Sequence, residues 1–244
     1  MNSIKHLKDV HKGQECILLN CGPSLNDFSE EKLKEISKDR VVIAVKQAYL
    51  KAPDIVDYHF WNCCNLPLPD KNGIHFDYGE DGPMVIASSN FAYGVRWSLF
   101  QKIDCFYRVP LFRLDGDNVF IANALNFENW TYTNNPVERP VGPGIMYETV
   151  VFALEHFGFS RVICIGWDLT YKQMKTGWNQ DKSYEHFYDE NDDVHNPGYI
   201  LDWEVEATCK ASEALYKWLL SKGTQLEIAS NKSSLYEGIP RVIL

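Results

Sequence analysis

Short apolar runs separated by amphipathic or polar stretches recur along this chain, and their lengths assign most of its elements. The runs Cys16–Leu19, Val41–Val45, Tyr58–Asn62, Met84–Ala87, Cys105–Val109, Arg161–Gly166 and Gln225–Ala229 have the length and β-branched or aromatic content of buried strands. Between them lie segments with helical signals. Ser29–Lys38 is rich in Glu and Lys, and Tyr93–Lys102 reads as a further helical stretch. In Ile145–Phe157, the residues Ile145, Met146, Val150, Ala153, Leu154 and Phe157 recur at helical spacing, and Gly158 stands where a C-terminal cap belongs. Trp203–Leu220 forms the last long helix, with Asp202 as its N-cap. Between Pro110 and Pro140 the pattern weakens into short aromatic-rich pieces with many Asn. Strands alternating with helices predict an α/β fold, a Rossmann-like, mostly parallel sheet with helices on both faces. The expectation is one nucleotide-binding domain over residues 1–244, with a lid-like insertion at 172–200.

Composition changes the picture mainly by exclusion. A hydrophobic content of 45% with 23% charged residues is that of a water-soluble globular chain, and no apolar run reaches the length of a membrane helix. The N-terminus is polar and lacks the apolar core of a signal peptide. The seven Cys have no C-x-x-C spacing, and Cys16 and Cys164 lie inside apolar runs, so the thiols read as reduced and buried in a cytoplasmic protein. The vicinal pair Cys63-Cys64 is the one redox or metal candidate among them. A net charge of −9, with 24 basic residues scattered among 33 acidic ones, argues against nucleic acid as a partner. It does not exclude a small anionic nucleotide, which backbone amides and helix ends can hold locally.

In a parallel sheet, ligands sit beyond the carboxyl ends of the strands. Three loops converge there. The first is Asn20-Cys21-Gly22-Pro23-Ser24-Leu25, where Gly22 allows a tight turn, Pro23 stiffens it, and Asn20 and Ser24 offer side-chain hydrogen bonds. It matches neither the P-loop nor the G-x-G-x-x-G pattern. The second, Val141-Gly142-Pro143-Gly144, enters the helix at Ile145 with Pro143 near its first position. The third is Trp167-Asp168-Leu169-Thr170-Tyr171, where Asp168 is placed to bind a ribose hydroxyl or to cap a turn. Residues 172–200 mix Lys, Tyr, Trp and a run of acids without clear periodicity. A connection of that length suits a lid that closes over a sugar nucleotide and excludes water.

Taken together, these stretches resemble the sialyltransferases of glycosyltransferase family 42, bacterial enzymes of lipooligosaccharide synthesis. Asn20–Leu25 is similar to their N-G-P-S-L opening. Gly142–Met146 and Arg161–Tyr171 resemble their S-G-containing helix start and S-G-I-D-F-Y strand end. Phe60-Trp61-Asn62 is similar to a segment whose Asn contacts the nucleotide, and Asn191–His195 to the stretch with the catalytic His. The likeness covers the first 62 residues and 141–244 in outline. It departs at Lys46, where the family tends to have Asn, and at Pro143, where it has Ser. The G-P-S-L motif is shared with a broader Rossmann-like group that includes 6-hydroxymethylpterin diphosphokinases.

The resemblance implies an inverting, metal-independent transfer of a sialic-acid-like sugar from a CMP-sugar donor to a glycan acceptor, with no other cofactor. It places Asn20, Gly22, Pro23, Ser24, Lys46, Asn62, Gly142, Gly144 and Asp168 around the nucleotide. It gives the departing phosphate to Tyr171 and Tyr184 or Tyr188, and the role of base to His195. Peripheral association with a membrane stays compatible with that activity. The alternative is a Mg2+-dependent pyrophosphokinase of the pterin type, with Asp168 or Asp189, Glu190, Asp192 and Asp193 as metal ligands.

Overall fold

The computed structural model describes residues 2–62, 76, 78–90, 102–109, 146–173, 182–187, 212–213 and 215–244. Their frame is an eight-stranded sheet in which every neighbouring pair is parallel. The strands are β1 (Asn2–Ser3), β2 (Glu15–Leu19), β3 (Val41–Val45), β4 (Tyr58–Asn62), β5 (Met84–Asn90), β6 (Cys105–Val109), β7 (Arg161–Ile165) and β10 (Gln225–Ile228). A separate antiparallel pair joins β8 (Tyr171–Gln173) to β9 (Lys182–Tyr184).

The strand order, β1-β6-β5-β4-β3-β2-β7-β10, fixes where a ligand can enter. From β2 the chain steps outward through β3, β4, β5 and β6, then returns to lay β7 and β10 on the other side of β2. The direction of winding therefore reverses between β2 and β7. The crevice of a doubly wound sheet opens at such a reversal, at the carboxyl edge.

Both faces of the sheet are covered, as the apolar runs require. Period-two alternation sends Cys16, Leu18, Ile43, Val45, Val162 and Cys164 to one face, beneath Val150–Leu154 of helix α2 (Met146–His156) and Leu215, Trp218 and Leu219 of the helical stretch 215–221. The other face takes Ile17, Leu19, Val42, Ala44, Ile163 and Ile165, covered by Leu33 of helix α1 (Glu30–Ile36), by Leu25 and by Tyr49. The sequence-based strands agree with these within a residue or two, except β5, which runs on to Asn90.

The helix signals hold at their ends. Ser29 caps α1, its side chain accepting from the Lys32 N–H. Gly158, at φ +89°, ends α2 with the Phe159 N–H on the Leu154 carbonyl and the Gly158 N–H on that of Glu155, the paired bonds of a Schellman turn. The stretch Tyr93–Lys102, apart from Lys102, and the first part of Trp203–Leu220 lie outside the described residues.

Other features also depart from the sequence-based expectation, among them the edge strand β1 at Asn2–Ser3. The Asn20–Leu25 turn does not feed directly into an α-helix. A 3-10 helix over Pro23–Asp27 intervenes, because Pro23 presets the tight first turn and Ser29 starts a separately capped helix. Residues 172–200, read as a lid-like stretch without clear periodicity, hold β9 and most of β8, whose three-residue strands are too short for an alternation to show in sequence.

Candidate functional site

The loops after β2 and β7 meet across the winding reversal. The Gly22 N–H donates to the Gly166 carbonyl at 2.7 Å, and the Asn20 N–H to that of Ile165 at 2.8 Å. Asp168 then takes two bonds from one residue: the Ser24 N–H on Oδ2 and the Ser24 hydroxyl on Oδ1, each at 2.7 Å. Both partners are buried, at 1% exposure. The Asp168 carboxylate thus caps the 3-10 helix at Pro23–Asp27, from across the crevice. Its own backbone is held from below, the Ser234 N–H donating to the Asp168 carbonyl and the Ser233 hydroxyl to that of Trp167.

Two glycines make that closeness achievable. Gly166 sits at φ +77°, and a Cβ built there would lie 2.4 Å from the Asn20 carbonyl oxygen. A Cβ on Gly22 would lie 2.5 Å from the Gly166 oxygen and 2.7 Å from Asp168 Oδ2. The room that Gly22 leaves is thus filled by the neighbouring loop. A branched side chain at Gly22 would therefore disturb the fold as well as any bound phosphate.

Asn20 is fully buried at the end of β2. Its Nδ2 faces the carbonyls of Leu18 at 3.2 Å and Ile165 at 3.3 Å. Two acceptors on that side fix which end of the amide is nitrogen. The oxygen, Oδ1, is then a buried acceptor with no hydrogen-bond partner among the described residues. A group of this kind calls for an explanation, and a ligand donor is one. Asn20 continues the alternation of Cys16 and Leu18 toward the face that α2 covers. At roughly 1.5 Å per helical residue and 3.3 Å per strand residue, the 11 residues of α2 match the five of β7 in length. The start of α2 is therefore level with the carboxyl edge where Asn20 ends β2.

A third strand exit adjoins this crevice. The Cys21 thiol donates to the Val45 carbonyl at 3.3 Å, so the β2 loop touches the end of β3. The next residue, Lys46, has φ +52°. Among the described residues three non-glycines have positive φ, and two of them, Lys46 and Leu169, stand at this edge. Such conformations are sparsely populated for L-residues and concentrate at functional sites. The Lys46 carbonyl accepts from Nε2 of His59 at 2.8 Å, while Nδ1 of the same ring accepts from the Tyr78 hydroxyl at 2.6 Å. Full burial pushes His59 down to about 3, so it is a neutral ring with a fixed tautomer; burial likewise pushes the Tyr78 phenol up, keeping it a donor. Tyr49 stacks on the ring at 4.8 Å, and Phe76 meets it edge-on at 4.7 Å.

The insertion after β7 returns to the first loop. Tyr171 and Tyr184 are direct cross-strand partners in the β8–β9 pair. After β9, the Glu185 N–H donates to the Thr170 carbonyl, the Phe187 N–H to that of Cys21 at 2.9 Å, and Asn26 Nδ2 to the Phe187 carbonyl at 2.8 Å. Residues 185–187 are thereby tied to the Cys21–Asn26 loop.

The structure brings Asn20, Gly22, Pro23, Ser24, Lys46 and Asp168 to one edge, with the backbones of Tyr171 and Tyr184 following from β7. Asn62 ends β4 on the same edge. Gly142, Gly144, Tyr188 and His195, the acidic run at 189–193 and Cys63-Cys64 lie outside the described residues. Among the described residues no cluster of three His, Cys, Asp or Glu is arranged to hold a metal ion. No described helix is long and apolar enough to cross a membrane. Sequence reasoning missed His59, Ser233 and Ser234, which are ordinary residues until the fold delivers them. Gly166 did carry a signal, a glycine closing an apolar strand.

No family model matches the chain, and no curated protein does. Among solved structures, the MAf glycosyltransferase from Magnetospirillum magneticum AMB-1 superposes with a TM-score of 0.47 at 11% sequence identity, over 96% of this chain and 36% of that one. The chain thus spans about a third of the length of that structure.

Proposed function

We propose that this protein is a sialyltransferase-like glycosyltransferase, which moves a sialic-acid-like sugar from a CMP-sugar to a glycan acceptor with inversion and without a metal. The observation that carries the reading is where the motif falls. The Asn-Cys-Gly-Pro-Ser-Leu sequence that resembles the family's opening forms the β2 side of the winding reversal, and Asn20 there holds a buried acceptor without a partner among the described residues. In this reading Asn20 Oδ1 accepts from a hydroxyl or amine of the nucleotide. Lys46, Asn62 and the turn Gly142–Gly144 contribute to the same pocket. The clasp between Ser24 and Asp168 keeps the two loops in register so that the pocket is formed before the ligand arrives.

The chemistry follows from the donor. His195 takes the proton from the acceptor hydroxyl as its oxygen attacks the anomeric carbon, and the bond from that carbon to the phosphate oxygen breaks. CMP leaves with the electron pair, its phosphate stabilised by the hydroxyls of Tyr171 and Tyr184 or Tyr188. Water competes with the acceptor for the same carbon, which is the reason for a lid over 172–200. In the pyrophosphokinase alternative, Asp168 would have to serve a metal ion while both of its oxygens accept from Ser24.

Calorimetric titration with CMP, CTP, UDP, GDP and ATP tests the reading. Cytidine nucleotides are expected to bind at least about tenfold more tightly than the others, a difference of about 1.4 kcal/mol. Equal affinity for all five, or preference for ATP, would overturn it.

A further inference from the structure

The left-handed conformation of Lys46 is an unusual feature of the carboxyl edge, and its cost has a visible cause. A lysine at φ +52° is strained, whereas glycine would not be. The strain persists because the Lys46 carbonyl is pinned by His59, which reaches it from β4, two strands from β2. His59 cannot swing away. Its second nitrogen is held by Tyr78, and its ring lies within a cluster of Tyr49, Trp61, Phe76 and Tyr78. Lys46 stands between Val45 and Gln47, whose carbonyl and side-chain oxygens lie 3.3 and 4.0 Å from the thiol of Cys21. The backbone of a residue with a long cationic side chain is thus held beside the β2 loop in a conformation that glycine would adopt without strain.

We propose that Lys46 contacts an anionic group of the bound ligand, and that His59 is a positioning residue which holds the Lys46 backbone in the conformation that delivers its ammonium there. The proposal rests on the reading of this edge as a nucleotide site and adds to it the charge that the site selects. A ligand with a phosphoryl group beside the β2–β3 loops is favoured over its nucleoside. Strain at Lys46 is retained because the backbone it imposes is the binding-competent one.

Lys46→Gly is the informative variant, because glycine accepts the same φ without strain. Its melting temperature is expected to equal or exceed that of the unmodified chain, while affinity for CMP or for inorganic pyrophosphate falls at least tenfold. The salt dependence of that affinity should flatten, since one cation no longer meets the anion. Cytidine, which lacks the phosphate, should bind both chains alike. His59→Phe, which keeps a ring but removes the donor to the carbonyl, should lose the same affinity as Lys46→Gly. His59→Gln, whose amide can still donate, should recover part of it. A Lys46→Gly chain that binds CMP as tightly as the unmodified chain overturns the assignment of Lys46 while leaving the nucleotide reading intact. An unmodified chain that binds neither CMP nor pyrophosphate overturns both. A His59→Phe chain that keeps full affinity refutes the positioning role.

Discussion

The bond pair between Asp168 and Ser24 supports a quantitative prediction that separates its structural role from a ligand-binding one. Asp168→Asn keeps the side-chain shape but converts one acceptor oxygen into a donor that faces either the Ser24 N–H or its hydroxyl. The hydroxyl can rotate; the N–H cannot. With the amide oxygen on the Ser24 N–H, the amide nitrogen donates to the rotated hydroxyl, so both contacts lose their charge assistance and the buried hydroxyl proton loses its acceptor. Both groups are buried at 1% exposure, so water does not replace the lost partner. Removal of a hydrogen bond to a charged group costs about 1.5–3 kcal/mol, and an unsatisfied buried donor keeps the total near the upper end, at about 3 kcal/mol. For a chain of this size that is a fall in melting temperature of about 6–12 °C. Ser24→Ala removes only the hydroxyl bond and should cost about 1.5 kcal/mol. The double variant should be less destabilised than the sum of the two by about 1 kcal/mol, because the pair shares one interaction. Urea denaturation of the four chains gives the cycle. An Asp168→Asn chain within about 1 kcal/mol of the parent that nonetheless binds no nucleotide would show that the carboxylate serves the ligand and not the loops, and would refute the clasp.

Other outcomes follow from the same geometry. His59 is neutral in the fold, depressed to about 3 from an ordinary value near 6.5, so the unfolded chain binds the extra proton between those values. Its contribution is complete above about pH 6.5 and declines as pH falls toward 3, by about 1.4 kcal/mol per pH unit; stability measured against pH in the parent and His59→Gln should show the difference shrinking below pH 6. Arg40, just before β3, Glu15 and Arg161, the first residues of β2 and β7, and Glu227 of β10 form a ladder of ion pairs, and the bond from Arg40 holds Glu15 below its ordinary range. That contribution is present above the usual Glu range and is lost as pH falls through it. Because Glu15 is 37% exposed, Glu15→Gln should cost less than about 1 kcal/mol in a urea melt, and less still at high salt. Gly166→Ala meets both a left-handed φ and the Asn20 carbonyl at 2.4 Å, and is expected to lose more than about 3 kcal/mol or fail to fold, whereas Gly223→Ala, at φ +84° with open space around it, should lose only about 1 kcal/mol in the same assay.

The sheet was legible because its signals are local. Val41–Val45 and Arg161–Ile165 are buried on both faces, so they read as unbroken apolar runs, and the spacing of Val150, Leu154 and Phe157 marks one face of α2 with Gly158 at its end. The loops Asn20–Leu25 and Trp167–Tyr171 were legible for the same reason, since each follows such a run. What the sequence withheld is pairwise and long-range. Nothing in Asp168 announces that its oxygens belong to a serine 144 residues away, and nothing in His59 announces a bond to the carbonyl of Lys46. The 3-10 helix at Pro23–Asp27 was hidden because Pro suits the start of either kind of helix. The short β8–β9 strands were hidden because three residues carry no period.

The central claim is that the crevice between β2 and β7 serves transfer from a CMP-sugar without a metal, and one measurement tests it most directly: release of CMP from CMP-sialic acid by the purified chain in excess EDTA, with and without a glycan acceptor. The account predicts that release proceeds in EDTA at the rate seen with Mg2+ and accelerates when acceptor is added. Release abolished by chelation, or turnover seen only with ATP and Mg2+, would contradict it.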